Sequence, residues 1–136
     1  MPIVVDASVS LAWCLQDEQS DYAGRVLDRL REDTATAPDV WAIEVANGLL
    51  VAERRSRLSP AGTAEAHTLL SALPIVLAEQ SLDDALGILL PLARTHRLTI
   101  YDAAYLHLAM REGLPLATLD EDLKTAAQRT GVTFMD

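Results

Sequence analysis

The 136-residue chain has one cysteine, one lysine and no long apolar run, and it lacks any excess of basic charge. Each shortage excludes something. A lone Cys14 forms no internal disulfide and leaves no zinc-ligand spacing, so it reads as a small buried thiol between Trp13 and Leu15. Apolar stretches are broken by Asp, Arg, Glu or Pro well short of about 18 residues, which argues against a membrane span. Met1-Pro2-Ile3-Val4-Val5-Asp6 carries no basic segment followed by an apolar core, so no secretory signal is expected and the default location is the cytoplasm. A formal charge of −9 excludes a protein that coats nucleic acid through a generally basic surface. No repeat, low-complexity tract or Gly/Ser linker marks a boundary, so residues 1–136 are expected to form a single domain.

What is present is a half-hydrophobic chain in which short β-branched runs alternate with helical patterns. Ile3-Val4-Val5, Ile75-Val76-Leu77, Leu116-Ala117-Thr118 and Val132-Thr133-Phe134 read as strands. Helices are expected over 8–15, 21–32, 40–55, from Pro60 behind an Ser59 cap, from Ser81 with a break at Pro91, over 102–111 and over 122–129. Thr34 to Pro38 reads as an interruption. The leucine-rich helix from Leu82 reads as core. Alternating strands and helices imply right-handed crossovers and a parallel sheet covered on both faces, an α/β fold with three α/β/α layers.

Most of the twenty acids fall on solvated helix faces or helix starts, but four do not. Asp6 ends a buried strand, Glu44 lies amid Trp41, Ile43 and Val45, Asp102 opens a helix, and Asp120 follows the Leu116 strand by two residues. Each has an ordinary role open to it: Asp102 and Asp120 can cap helices, Asp6 can accept backbone N–H bonds, and Glu44 can sit on a rim. In an open α/β sheet, however, ligands bind outside the carboxyl ends of the strands, where Asp6 and Asp120 are expected to meet. Clustered carboxylates repel and call for a cation; Mg²⁺ or Mn²⁺ fits an all-oxygen donor set and suits phosphodiester hydrolysis.

With these residues in place, the chain resembles a PIN-domain ribonuclease of the VapC toxin type. The resemblance rests on Val4-Val5-Asp6-Ala7-Ser8, Glu44-Val45-Ala46-Asn47, Tyr101-Asp102-Ala103-Ala104-Tyr105 and Leu116-Ala117-Thr118-Leu119-Asp120-Glu121-Asp122-Leu123, in that order and spacing. It implies a PIN fold and endonucleolytic cleavage of RNA with Mg²⁺ or Mn²⁺, with Asp6, Glu44, Asp102 and Asp120 as the acidic quartet. Asp6, Asp102 and Asp120 would be metal ligands. Ser8 and Thr118 would orient the acids, Asn47 would support Glu44 from the same helix face, and Asp122 would stand in an outer position. It also implies a small cognate antitoxin and a homodimer or toxin–antitoxin hetero-oligomer, with no membrane partner. Trp13, Val26, Leu27, Leu30, Leu49 and Leu50 are candidates for those interfaces.

Arg54, Arg55 and Arg57 are candidate RNA contacts, with the alternative of balancing a helix dipole. Arg94, His96 and Arg97 form a second, weaker basic group. His67, His96 and His107 have no partner spacing and read as packed or surface residues, while Trp13 and Trp41 read as core or interface, with base stacking the minor alternative for Trp41. A receiver domain would want paired acids after the first strand, and a haloacid-dehalogenase-type phosphatase an Asp-x-Asp; Asp6-Ala7-Ser8 offers neither. A catalytically silent PIN-fold module binding RNA or a partner remains the alternative to the enzyme.

Overall fold

The computed structural model describes all of residues 1–136, and its elements follow the β-then-α alternation of the sequence. β1 (Ile3–Val5) is followed by α1 (Ala7–Cys14), a 3₁₀ turn over Gln16–Glu18 and α2 (Asp21–Arg29). β2 (Ala35–Pro38), α3 (Val40–Arg54), α4 (Pro60–Ser71) and β3 (Ile75–Ala78) come next. After α5 (Leu82–Asp84) the chain passes through a π-helical segment, Ala85–Leu89, into α6 (Leu90–His96). α7 (Ile100–Glu112), β4 (Leu116–Ala117) and α8 (Glu121–Thr130) complete the order.

The four strands form one parallel sheet in the order β3-β2-β1-β4. β1 lies inside it, paired Val4 to Thr36 on one side and Val5 to Ala117 on the other. That position explains the unbroken Ile3-Val4-Val5 run, since all three residues are buried on a sheet covered on both faces. Val4 packs with Trp41, Val45, Tyr105, Leu106 and Leu116, while Ile3 and Val5 pack with Val9, Trp13, Val26 and Leu30 on the opposite face. Each fully buried aliphatic side chain in these layers contributes about 1.5–3 kcal/mol relative to exposure. The three α/β/α layers are as expected.

Helix starts are set by side-chain caps. Ser20, Ser59, Ser81 and Thr99 each accept a backbone N–H from the first turn of α2, α4, α5 and α7. The two helices that leave the carboxyl ends of β1 and β4 are capped instead by carboxylates, Asp6 on Val9 N at 3.1 Å and Asp120 on Leu123 N at 3.0 Å.

Four expectations need correction. The segment Thr34 to Pro38 contains strand β2, because Ala35 and Ala37 are buried between neighbours on both sides and packing outweighs their low strand propensity. Val132 to Phe134 forms a single bridge, Phe134 to Leu116, and no strand of its own. The leucine-rich segment buries Leu89 but leaves Leu82 and Leu86 exposed, since the π-helical turn ahead of Pro91 rotates the apolar stripe partly off the core. Trp13, Val26, Leu30 and Leu49 are core residues and not a free interface; Leu50 alone of that set is exposed.

Candidate active site

The β1–β4 pairing fixes one wall of the site. Asp6 follows β1 and its backbone N–H donates to Ala117 O, which brings Thr118 beside it. Thr118 Oγ1 donates to Asp6 Oδ2 at 2.5 Å and accepts the Asp120 N–H at 2.9 Å, so one hydroxyl joins two acids. Ser8 Oγ donates to Asp6 Oδ1 at 2.6 Å and accepts the Leu119 N–H at 3.0 Å. Asp6 is only 3% exposed, yet its two oxygens take hydrogen bonds from Ser8, Thr118 and Val9 and are held in one orientation. Below it, Ser10 Oγ donates to the Asp6 carbonyl and accepts from Trp41 Nε1, locking α1 to α3.

The other wall comes from α3 and α7. Thr99 caps α7 by accepting the Asp102 N–H at 3.1 Å, so Asp102 is not the cap and stands in the first turn, half-buried. One turn on, Tyr105 is 1% exposed and its hydroxyl donates to Glu44 Oε1 at 2.9 Å. Residues three apart share a helix face, so α7 aims Asp102 and the Tyr105–Glu44 pair into the same region.

The electrostatics centre on Asp102, which feels the charges of the other three acids. Burial raises Asp6 to about 6; the Ser8 and Thr118 hydroxyls and the Val9 N–H draw it partly back, and the Asp120 charge pushes it up again. Asp102 is raised to about 7, first by burial and then by the charges of Asp120, Asp6 and Glu44. Burial also raises Glu44, against the stabilising hydrogen bond from Tyr105. No three His, Cys, Asp or Glu side chains are drawn into one closed coordination cluster. The donor set is nevertheless all oxygen, and its mutual repulsion is what a hard divalent cation relieves.

Asp6, Glu44, Asp102 and Asp120 thus come together, with Ser8 and Thr118 as the orienting hydroxyls. Asn47 does not: it is exposed and makes no bond to Glu44, whose partner is Tyr105. Asp122 is exposed in the first turn of α8. Trp41 is buried, which removes base stacking as its role. Arg54 and Arg55 lie ten and eleven residues beyond Glu44, about 15 Å along α3 at the helical rise. Arg57 is committed elsewhere, to Asp17 at 2.7 and 2.9 Å and to Glu18 at 2.8 Å. The sequence does not single out Tyr105 or Thr99: Tyr105 stands three residues after Asp102, but the partner of its hydroxyl, Glu44, is set by a tertiary contact 61 residues away in the chain. Apart from the acids, Trp41, Val45, Leu49, Leu50, His67 and Leu70 line an apolar groove of about 600 Å³ between α3 and α4.

A parallel sheet ordered 3-2-1-4 with four acids at its carboxyl edge defines a class, and comparison with known proteins agrees. The PIN domain family matches residues 3–128, and the chain belongs to that family. More particularly, it is 35% identical over 127 residues to Ribonuclease VapC3 of Pyrobaculum aerophilum, covering 90% of this chain and 92% of that one. A crystal structure of PAE2754 from the same organism superposes with a TM-score of 0.68 at 24% identity, over 93% of this chain and 87% of the other. VapC20 of Mycobacterium tuberculosis, described as a sarcin-ricin loop cleaving toxin, gives 0.65 at 16% identity, over 91% and 94%.

Proposed function

We propose that this protein is a divalent-metal-dependent endoribonuclease that hydrolyses RNA phosphodiester bonds as the toxin of a type II toxin–antitoxin pair. The observation that carries the proposal is the coupling of Asp102 to Asp120, Asp6 and Glu44 in a crevice built by the PIN fold. The relative named a ribonuclease, aligned along nearly the whole chain, supports RNA as substrate. Residues 1–136 act as one catalytic unit in this reading.

Asp6, Asp102 and Asp120 would hold Mg²⁺ or Mn²⁺. Such an ion, when bound, supplies a nucleophilic water at neutral pH and offsets charge on the phosphate and leaving oxygen. The protein's own part is orientation. Ser8, Thr118 and the Val9 N–H fix both oxygens of Asp6, so it presents its free lone pairs in one direction. Asp120 is held by its capping bond to Leu123. Glu44, steadied by Tyr105, keeps one oxygen free to accept a proton or hold the attacking water. Burial of Asp6 and Tyr105 limits bulk water behind the crevice and strengthens each of these interactions.

As a toxin the protein acts in the cytoplasm with a small cognate antitoxin, as a homodimer or a toxin–antitoxin hetero-oligomer. No helix is long and apolar enough to cross a membrane. The apolar groove between α3 and α4 gives a partner helix a surface beside the helix that carries Glu44.

The test compares wild type with Asp6→Asn and Asp102→Asn on mixed cellular RNA in Mg²⁺, Mn²⁺ or EDTA. Cleavage by the wild type in metal alone, lost in both variants, is the expected result. Cleavage that persists in EDTA or in both variants refutes the metal-carboxylate mechanism.

A further inference from the structure

We propose that Tyr101 and Arg97, at the turn from α6 into α7, form a contact surface for single-stranded RNA at the mouth of the acidic crevice. Tyr101 stacks on an unpaired base and Arg97 holds a neighbouring phosphate. The inference rests on the ribonuclease reading above and deepens it by naming where the substrate strand lies.

The aromatic residues carry the first part. The chain has six. Trp13, Trp41 and Tyr105 are buried, and Tyr22 stacks on Phe134 with ring centroids 5.3 Å apart. Tyr101 is 54% exposed and directly precedes Asp102. It also stands one helical turn before Tyr105, on nearly the same face, and the Tyr105 hydroxyl reaches Glu44. Tyr101 is therefore placed above the Glu44 side of the crevice, at its open end. Ile100 and Leu119, neighbours in sequence of Tyr101 and Asp120, are likewise exposed and extend an apolar rim. A flat, accessible ring beside phosphodiester chemistry is what stacking on an unpaired base requires.

The arginine carries the second part independently. Arg29, Arg31, Arg57 and Arg111 are ion-paired, and Arg25 and Lys124 lie over aromatic rings. Arg54, Arg55, Arg94, Arg97 and Arg129 have no acidic partner, and of these Arg97 stands nearest in the chain to the site, two residues before Thr99, the cap of the helix that carries Asp102. Its backbone is left-handed, φ 55° and ψ 44°. Gly113 and Gly131 fill the same conformation after α7 and α8, where a side chain would be strained. Two non-glycine residues hold a positive φ, Ser56 after α3 and Arg97, and Arg97 is the one in the turn that leads into the Asp102 helix. In a protein of net charge −9, an exposed, unpaired cation in the turn that leads into the Asp102 helix is a local anchor for a polyanion.

The experiment measures anisotropy of a fluorescein-labelled single-stranded RNA of about twelve nucleotides in EDTA, together with cleavage in Mn²⁺, for the full chain. Tyr101→Ala is expected to weaken binding about tenfold and raise KM, while Tyr101→Trp stays within about twofold of wild type. Arg97→Gly is expected to weaken binding, to lower the slope of log affinity on log salt by about 0.7, and to leave Tm unchanged or higher. A glycine that stabilises the fold while loosening RNA separates contact from structural support. Unchanged affinity in both variants, with a wild type that binds, overturns the proposal. So does a change of sedimentation in Tyr101→Ala with RNA affinity intact, which assigns the patch to a protein interface. A wild type that binds this RNA and cuts none removes the hydrolysis but, with the variant losses, keeps the surface. A wild type that neither binds nor cuts RNA removes both.

Discussion

Replacing Asp6 by Asn should stabilise the metal-free protein at neutral pH, by an amount set by how the carboxylate is buried. Asp6 is 3% exposed and titrates at about 6, against 3.8 for a free aspartate. Because the folded-state value is raised, the native protein holds a proton that the unfolded chain has lost between those two values. Stability contributed by the neutral acid is complete below about pH 4 and is lost as pH rises through 6. A shift of roughly two units at 1.36 kcal/mol each makes the loss about 3 kcal/mol. Asparagine has no charge to bury and nearly the same shape, and the Thr118 hydroxyl can turn to accept from its amide. The substitution does forfeit part of the hydrogen bonding to Ser8, Thr118 and Val9, worth about 1 kcal/mol and nearly constant with pH. Urea unfolding in EDTA at pH 4.5 and pH 8 isolates the electrostatic part, because the pH-independent term cancels in the comparison. The variant should gain about 2–3 kcal/mol on wild type between the two pH values. A difference that stays flat with pH, or that reverses, refutes the idea that Asp6 is an ion buried at the expense of the fold.

Three other outcomes follow from the same geometry. Tyr105→Phe should keep the fold with a loss of about 1–2 kcal/mol and lower kcat for RNA cleavage by tenfold or more at unchanged RNA affinity, since Glu44 loses its only partner. Affinity for Mn²⁺, measured by calorimetry, should rise between pH 6 and 8 with proton release, because Asp102, raised to about 7, must ionise to ligate; a flat profile would contradict its assignment as a ligand. Arg57→Ala should leave RNA affinity unchanged in the anisotropy assay, its guanidinium being already engaged by Asp17 and Glu18.

How far the sequence could be read depended on whether a residue's fate is decided locally. Ile3-Val4-Val5 announces a buried strand through its own composition, and Ser59-Pro60 announces a helix start. Ala35-Thr36-Ala37-Pro38 announces nothing, because its strand conformation comes from β1 and β3 on either side. Asp6, Asp102 and Asp120 stand out because each sits where a strand ends or a helix begins, whereas Glu44, in the second turn of α3, stands out only by its apolar neighbours. Asn47 stands away from Glu44 for a geometric reason. Trp41, Val45 and Leu49 mark the buried stripe of α3; Glu44 lies about 100° from Val45 on one side, and three further residues carry Asn47 about 160° away, onto the solvent face. Tyr105 carries no local signal, because a tyrosine in an apolar helix reads as packing and only the tertiary contact gives its hydroxyl a task.

The hydroxyl of Thr118 reaches Asp6 across 112 residues of chain. That separation spans most of the fold, so the two halves of the crevice meet only after β1 and β4 have both been made. A nascent or truncated chain that stops before Leu116 has Asp6, Glu44 and Asp102 but neither β4, nor Thr118, nor Asp120. Its β1 is left as a sheet edge with nothing to hold the first acid in place. The acidic crevice is therefore assembled late: β4, made after the other three strands, is the one that brings Thr118 to the first acid.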